Sequence, residues 1–125
     1  HLQRRRQRQM CIRDSDEAIA LTQTATQRAP EVALGWYNLG LMLRRRGDIA
    51  AALEAYSRAV ELDPNNAACH QNRAVALLLG GDIEGSRAAF RTAITLLETQ
   101  GRPVDAQALR TKAQGIVKLD LEPIA

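Results

Sequence analysis

Residues 33–66 read ALGWYNLGLMLRRRGDIAAALEAYSRAVELDPNN, and residues 67–100 read AACHQNRAVALLLGGDIEGSRAAFRTAITLLETQ. Both stretches are 34 residues long and align without a gap. Gly47-Asp48-Ile49 lies over Gly81-Asp82-Ile83, Asn38 over Asn72, Leu43 over Leu77, Tyr56 over Phe90 and Ala59 over Ala93. Self-similarity at a fixed period of this size marks a repeat architecture, in which each unit buries its apolar face against its neighbours.

Within each unit the apolar spacing is helical. Trp36, Leu39, Gly40 and Leu43 follow i, i+3, i+4, i+7, and Ile49, Leu53, Tyr56 and Val60 repeat that pattern after a Gly-Asp turn. Gly47 and Gly81 suit the left-handed end of a first helix, and Asp48 and Asp82 can accept from the free N–H groups that open the second. Asp63-Pro64-Asn65 stops the second helix, because proline disfavours α geometry in the residue before it. Gly40 with Ala52, and Ala74 with Ser86, put small residues where two helices approach. The composition agrees: 46% hydrophobic residues, only 3% aromatic and 21 alanines read as helix rather than sheet. The expected fold class is all-α, a solenoid of stacked antiparallel helix pairs.

The arrangement W-x-x-L-G-x-x-[L/Y], then A-x-x-x-[Y/F]-x-x-A, then P resembles the tetratricopeptide repeat (TPR). Trp36, Leu39, Gly40, Leu43, Ala52, Tyr56, Ala59 and Pro64 occupy its signature positions in residues 33–66. In residues 67–100 the match is weaker: His70, Arg73 and Ala74 replace the Trp-Leu-Gly part and Glu98 stands in place of the proline, while Leu77, Phe90 and Ala93 hold. One period back, Asp16-Glu17-Ala18-Ile19, Ala25 and Pro30 read as the second helix of a truncated TPR over 16–32. Ile19, Leu21 and Ala25 are then expected to lose part of their cover, leaving an N-terminal edge through which the chain self-associates. Residues 101–118 read as a capping helix or a decayed TPR. Pro103 opens it, and Val104, Ala108, Leu109, Ala113, Ile116 and Val117 form its expected apolar face. Residues 119–125 read as a tail.

Residues 5–15, RRQRQMCIRDS, resemble one reading frame of a transposase adapter used to build sequencing libraries, in register for eleven residues, so 1–15 are expected to be a non-native extension. The alternative is a genuine basic arm, which could touch nucleic acid or anionic lipid. The choice governs the charge. The whole chain carries a formal +3, but leaving out 1–15 gives 12 basic against 13 acidic side chains, a net of −1. The expectation is therefore no nucleic-acid partner. It is also no membrane partner, since the longest apolar stretch, Ala74 to Leu79, is far short of the roughly 20 residues that a span needs. The cysteines place the chain in cytoplasm or periplasm alike, with cytoplasm the expectation.

No catalytic set stands out. Cys69-His70 has the residue types of a nucleophile and base, but neighbours on a helix do not face each other, and His70 stands at a packing position of the repeat. One Cys and one His fall short of the three or four ligands of a zinc site. Gly80-Gly81 lacks the surrounding G-x-x-x-x-G-K-[ST] of a phosphate loop. The chain reads as a non-enzyme without cofactor or metal.

The TPR resemblance implies a concave groove lined by first helices. It assigns Tyr37, Asn38, Leu41, Arg44 and Arg45 to the groove from one repeat, and Gln71, Asn72, Val75, Leu78 and Leu79 from the next. Asn38 and Asn72 would then form a ladder of amides able to pair with an extended peptide backbone. Arg44-Arg45-Arg46 complements the helix dipole, or else Arg44 and Arg45 favour an acidic ligand. The TPR carboxylate clamp for chaperone tails is incomplete: Asn72 sits at one clamp position, but Tyr37 and Leu41 occupy places that need Lys and Asn, and Ala106 one that needs Arg or Lys. The expectation is a protein-interaction module for a partner peptide or helix. The alternative is the accessory array of a larger glycosyltransferase, sulfotransferase, methyltransferase or peptidase.

Overall fold

A computed structural model describes residues 16–117; the expectations for residues 1–15 and for the tail 119–125 lie outside them. The described residues are helical and include no strand. A helix α1 covers 16–28. It is followed by α2 (Ala33–Arg46), α3 (Ile49–Leu62), α4 (Ala67–Leu79), α5 (Ile83–Thr99) and α6 (Pro103–Val117). The chain divides after Leu62 into two compact units, the first holding α1–α3 and the second α4–α6. No helix among the described residues is long and apolar enough to cross a membrane.

In the first unit α2 buries Leu39, Gly40 and Leu43 against Ala52, Ala55, Tyr56 and Ala59 of α3. Tyr56 is fully buried. Its ring lies over Gly40 so closely that a Cβ on residue 40 would meet Tyr56 Cε1 at 2.6 Å. The turn between these helices closes on Gly47, whose φ of 97° few other residues tolerate. Its N–H donates to the Arg44 carbonyl, and the Asp48 N–H to that of Leu43, which satisfies two of the helix's last carbonyls.

α1 packs on this hairpin through Ile19, Thr22 and Thr26 rather than through Ala25. Ile19 and Thr26 are buried, the Thr22 hydroxyl lies 3.4 Å from Met42 Sδ, and Asp16 pairs with Arg46 at 3.0 Å. Ile19 thus keeps its cover, whereas Leu21 (73% exposed) and Ala25 face solvent. The threonines explain the difference: Thr22 and Thr26 return their hydroxyls to the Ala18 and Gln23 carbonyls of α1, so their methyl groups can pack.

The second unit repeats the hairpin with altered chemistry. Phe90 is fully buried in the place of Tyr56, and Ser86 in the place of Ala52 donates its hydroxyl to the Ala74 carbonyl at 2.8 Å. Gly81 has a φ of 88°, and its N–H reaches the Leu78 carbonyl. Asp82 caps α5 by accepting from the Gly85 N–H, as its position implies. Asp48 does not match it: its carboxylate lies 3.3 Å from Arg46 Nε instead.

The period slips at α5. With Glu98 where the first hairpin has Pro64, nothing stops the helix, and α5 runs for 17 residues against 14 in α3. First helices consequently start at 33, 67 and 103, so the second step is two residues longer than the first. The slip rotates α6. Its buried face is Ala106, Leu109, Ala113 and Val117, while Val104 (80% exposed), Ala108 and Ile116 face outward, against the expected pattern. Glu98 also fastens α6, accepting from Arg110 at 2.6 Å.

Gly40→Ala is expected to lose about 1–3 kcal/mol of stability by overpacking against the buried Tyr56 ring, despite a helix-propensity gain of about 1 kcal/mol. Gly115→Ala, where a Cβ meets nothing within 4 Å, is expected to gain up to about 1 kcal/mol. Urea unfolding of the two variants beside the parent checks both signs.

Candidate functional site

Each unit turns one face of its first helix away from its own core. On α2, at 100° per residue, Leu34, Tyr37, Asn38, Leu41, Arg44 and Arg45 fall within an arc of about 120°. That arc lies opposite the buried Leu39, Gly40 and Leu43. Leu34 is 63% exposed, Arg45 is exposed, and Tyr37, Asn38, Leu41 and Arg44 are half-buried. Tyr37 is steadied by an edge-to-face contact with Tyr56, ring centroids 6.2 Å apart. Arg44 keeps its Nε buried without a hydrogen-bond partner. Arg46, by contrast, is shared by Asp16 and Asp48.

On α4 the same spacing sets out Ala68, Gln71, Asn72, Val75, Leu78 and Leu79. Gln71, Asn72, Val75 and Leu78 are half-buried and Leu79 is 59% exposed. Asn72 Nδ2 donates to the Ala68 carbonyl at 2.9 Å, so that amide is partly held by its own helix. Beside Gln71 the second unit opens a cleft of about 470 Å³, within the range of small-ligand sites. Its apolar lining is Ala67, Ala68, Leu97, Ala108 and Leu109, and its polar rim is Asp63, Asn65, Asn66, Gln71, Gln100, Arg102, Asp105 and Lys112. Gln100 Nε2 donates to the Asn65 carbonyl and Arg102 pairs with Asp105, so the rim is cross-tied on two sides.

Of the sequence-assigned groove residues in this unit, Gln71 alone lines the cleft. Most of the rim belongs to inter-helix turns and to α6, whose register the 34-residue period misplaces. The signal was Glu98, since losing that helix stop shifts everything after it. Ala106 is buried against α5 rather than facing a groove, so the clamp position assigned to it is not a surface position.

Cys69 and His70 have structural roles. His70 Nε2 lies 2.9 Å from the Pro64 carbonyl. Trp36 Nε1, one period earlier, donates to the Pro30 carbonyl at 2.8 Å. Histidine therefore replaces tryptophan while retaining the same ring-nitrogen contact to the preceding turn, worth about 1 kcal/mol net. Cys69 is buried beside it. Burial, reinforced by the negative charge of Asp63, pushes its thiol up to about 11, so the thiolate that would serve as a nucleophile is scarce near neutrality. No group of three or more His, Cys, Asp or Glu placed to hold a metal occurs among the described residues.

A family model described as tetratricopeptide repeat matches residues 12–67 and 45–103. The human protein named Tetratricopeptide repeat protein 36 is 32% identical over 90 residues, covering 72% of this chain and 44% of its own length. A TPR repeat-containing protein of Synechococcus elongatus is 39% identical over 140 residues, covering 82% of this chain and 34% of its own. The chain thus spans less than half the length of these curated relatives. Among solved structures, PcrH in complex with the chaperone binding region of PopD superposes with a TM-score of 0.73 at 23% identity, over 89% of this chain and 81% of that one. The TPR2B domain of yeast Sti1, in a complex with pHsp70, gives a TM-score of 0.70 at 20% identity, over 87% and 90%. These likenesses establish the fold.

The raised Cys69 pKa has a signed consequence. The native thiol holds its proton to about pH 11, whereas the unfolded one releases it near its ordinary 9.0. Between those values the native state binds more protons, so stability falls as pH rises; below pH 9 the contribution is complete. Chemical unfolding at pH 8 to 11 is expected to show a steeper loss for the parent than for Cys69→Ala, and parallel curves would contradict it.

Proposed function

The chain belongs to the tetratricopeptide repeat family, and we propose that it is a protein-interaction scaffold that holds partner polypeptide on the outward face of α2 in the first unit and on that of α4 in the second. The observation that carries this reading is the separation of duties around α2. One arc builds the hairpin core, and the opposite arc, tied to that core through the contact of Tyr37 with Tyr56, presents apolar, amide and guanidinium groups at the surface. The second unit adds a cleft of about 470 Å³ beside Gln71, lined by alanines, leucines and amides. Such a site suits an extended chain: small lining residues admit side chains, and amides pair with backbone N–H and C=O without demanding a particular sequence. Two structural neighbours are in complexes, PcrH with the chaperone binding region of PopD and TPR2B with pHsp70, which supports a protein segment as the class of ligand.

In each unit one amide is proposed to grip partner backbone: Asn38 on α2, flanked by Tyr37 and Leu41, and Asn72 on α4, flanked by Gln71 and Val75. Pairing through Asn72 exchanges its bond to the Ala68 carbonyl for one to the partner. The test is a selection of displayed random dodecapeptides on the immobilised chain, followed by calorimetry with the enriched sequences. Asn38→Ala combined with Asn72→Ala is expected to weaken them by about tenfold, the worth of one to two hydrogen bonds. Unchanged affinity would remove the amides from the site, and no enrichment over a blank surface would overturn the scaffold reading.

A further inference from the structure

Resting on that scaffold reading, we propose that the outward face of α2 is specific for an acidic partner segment that carries apolar side chains at one end and carboxylates at the other. The face is graded along its length. Leu34, Tyr37 and Leu41 succeed one another at i, i+3 and i+7, and Arg44 and Arg45 continue the same stripe for one further turn. An occupant lying along α2 therefore meets apolar surface first and two guanidiniums last.

The three arginines at the end of α2 are not equivalent, and this separates a recognition role from a merely structural one. All three lie in the last turn, where a cation complements the helix dipole, but Arg46 also bridges Asp16 at 3.0 Å and Asp48 at 3.3 Å. Among the described residues no ion pair engages Arg44 or Arg45. The guanidinium groups of Arg44, half-buried, and Arg45, exposed, thus keep their charge available to a partner. α2 has no acidic side chain of its own, so carboxylates from outside face attraction unopposed by any charge on the helix. Guanidiniums suit carboxylates in particular, since their forked donors match both oxygens. The corresponding stripe of α4 ends instead in Leu78 and Leu79, so the acidic preference belongs to the first unit.

The peptide selection is repeated on the parent, on Arg44→Glu/Arg45→Glu and on Arg44→Gln/Arg45→Gln, each verified as helical by circular dichroism. The neutral pair guards against a reversal that disturbs the helix end. Parent-selected peptides are expected to be enriched in Asp and Glu at one end and in apolar residues at the other. The best synthetic peptide should lose about tenfold or more in affinity when its acidic residues become amides, and again on the glutamine pair. That affinity should also fall as salt rises from 50 to 500 mM, as screening of partly exposed charge requires. Enriched peptides without acidic bias, or affinity unmoved by either arginine pair, would overturn the acidic specificity and leave the scaffold reading standing. A parent that enriches no peptide would overturn that reading and this inference with it.

Discussion

The absence of a side chain at Gly40 is the constraint on which the first hairpin depends. Two 14-residue helices cannot each bury more than one stripe, and aromatic side chains contribute most to so small a core. The Tyr56 ring removes the most apolar area for a single residue, about 2–3 kcal/mol, but needs room beside the backbone of the facing helix. Gly40 supplies that room and Ala52 permits the close approach of α2 and α3. Everything presented on the far side of α2 is positioned by this contact, because a helix held along one stripe has its opposite stripe fixed as well.

The second hairpin solves the same problem with different atoms. Ala74 replaces Gly40, Phe90 replaces Tyr56, and Ser86 replaces Ala52 while passing its buried hydroxyl to the Ala74 carbonyl. A hydroxyl that remained unpaired there would cost about 1–3 kcal/mol, so the serine is tolerated only because α4 offers a carbonyl at that point. The ring-nitrogen contacts of Trp36 and His70 to Pro30 and Pro64 follow the same logic. An indole and an imidazole share little in size, yet each carries a ring nitrogen toward the turn below. The pattern conserved between the units is one of contacts, with residue identity free to change where the contact survives.

This explains which parts of the fold are legible in the residues alone. Periodicity, the glycine turns and the aromatic-small pairs report directly on packing, and the all-α repeat follows from them. The placement of α6 does not, because it depends on where α5 stops. Glu98 in place of proline allows α5 to continue, Gly101 ends it with a φ of 74°, and the two added residues rotate the next helix. A strict 34-residue ruler then puts Val104 and Ala108 inside and Ala106 outside, the reverse of what the longer α5 produces. Thr26 in place of Ala25 has a related cause: threonine reads as polar until its hydroxyl finds a backbone carbonyl, here that of Gln23.

The outward faces proposed as the recognition surface obey a different rule, and the residues alone therefore say less about them. Buried positions of α2 and α4 are constrained by a partner helix that recurs each period. The outward positions have no such partner within the chain, and they diverge: Leu34, Tyr37, Leu41, Arg44 and Arg45 against Ala68, Gln71, Val75, Leu78 and Leu79, with asparagine alone retained. Helical geometry locates the outward arc on each helix but says nothing of what neighbours bring to it. In the second unit those neighbours are the turn at Asn65 and Asn66, the end of α5 at Gln100, and α6 at Lys112, and together they make the cleft. On the scaffold proposal, fold rests mainly on one arc and specificity on the other. Substitutions at the exposed Leu34 and Arg45 of the outer arc should therefore change what is bound with little effect on whether the hairpin forms, whereas a methyl group added at Gly40 acts first on the hairpin itself.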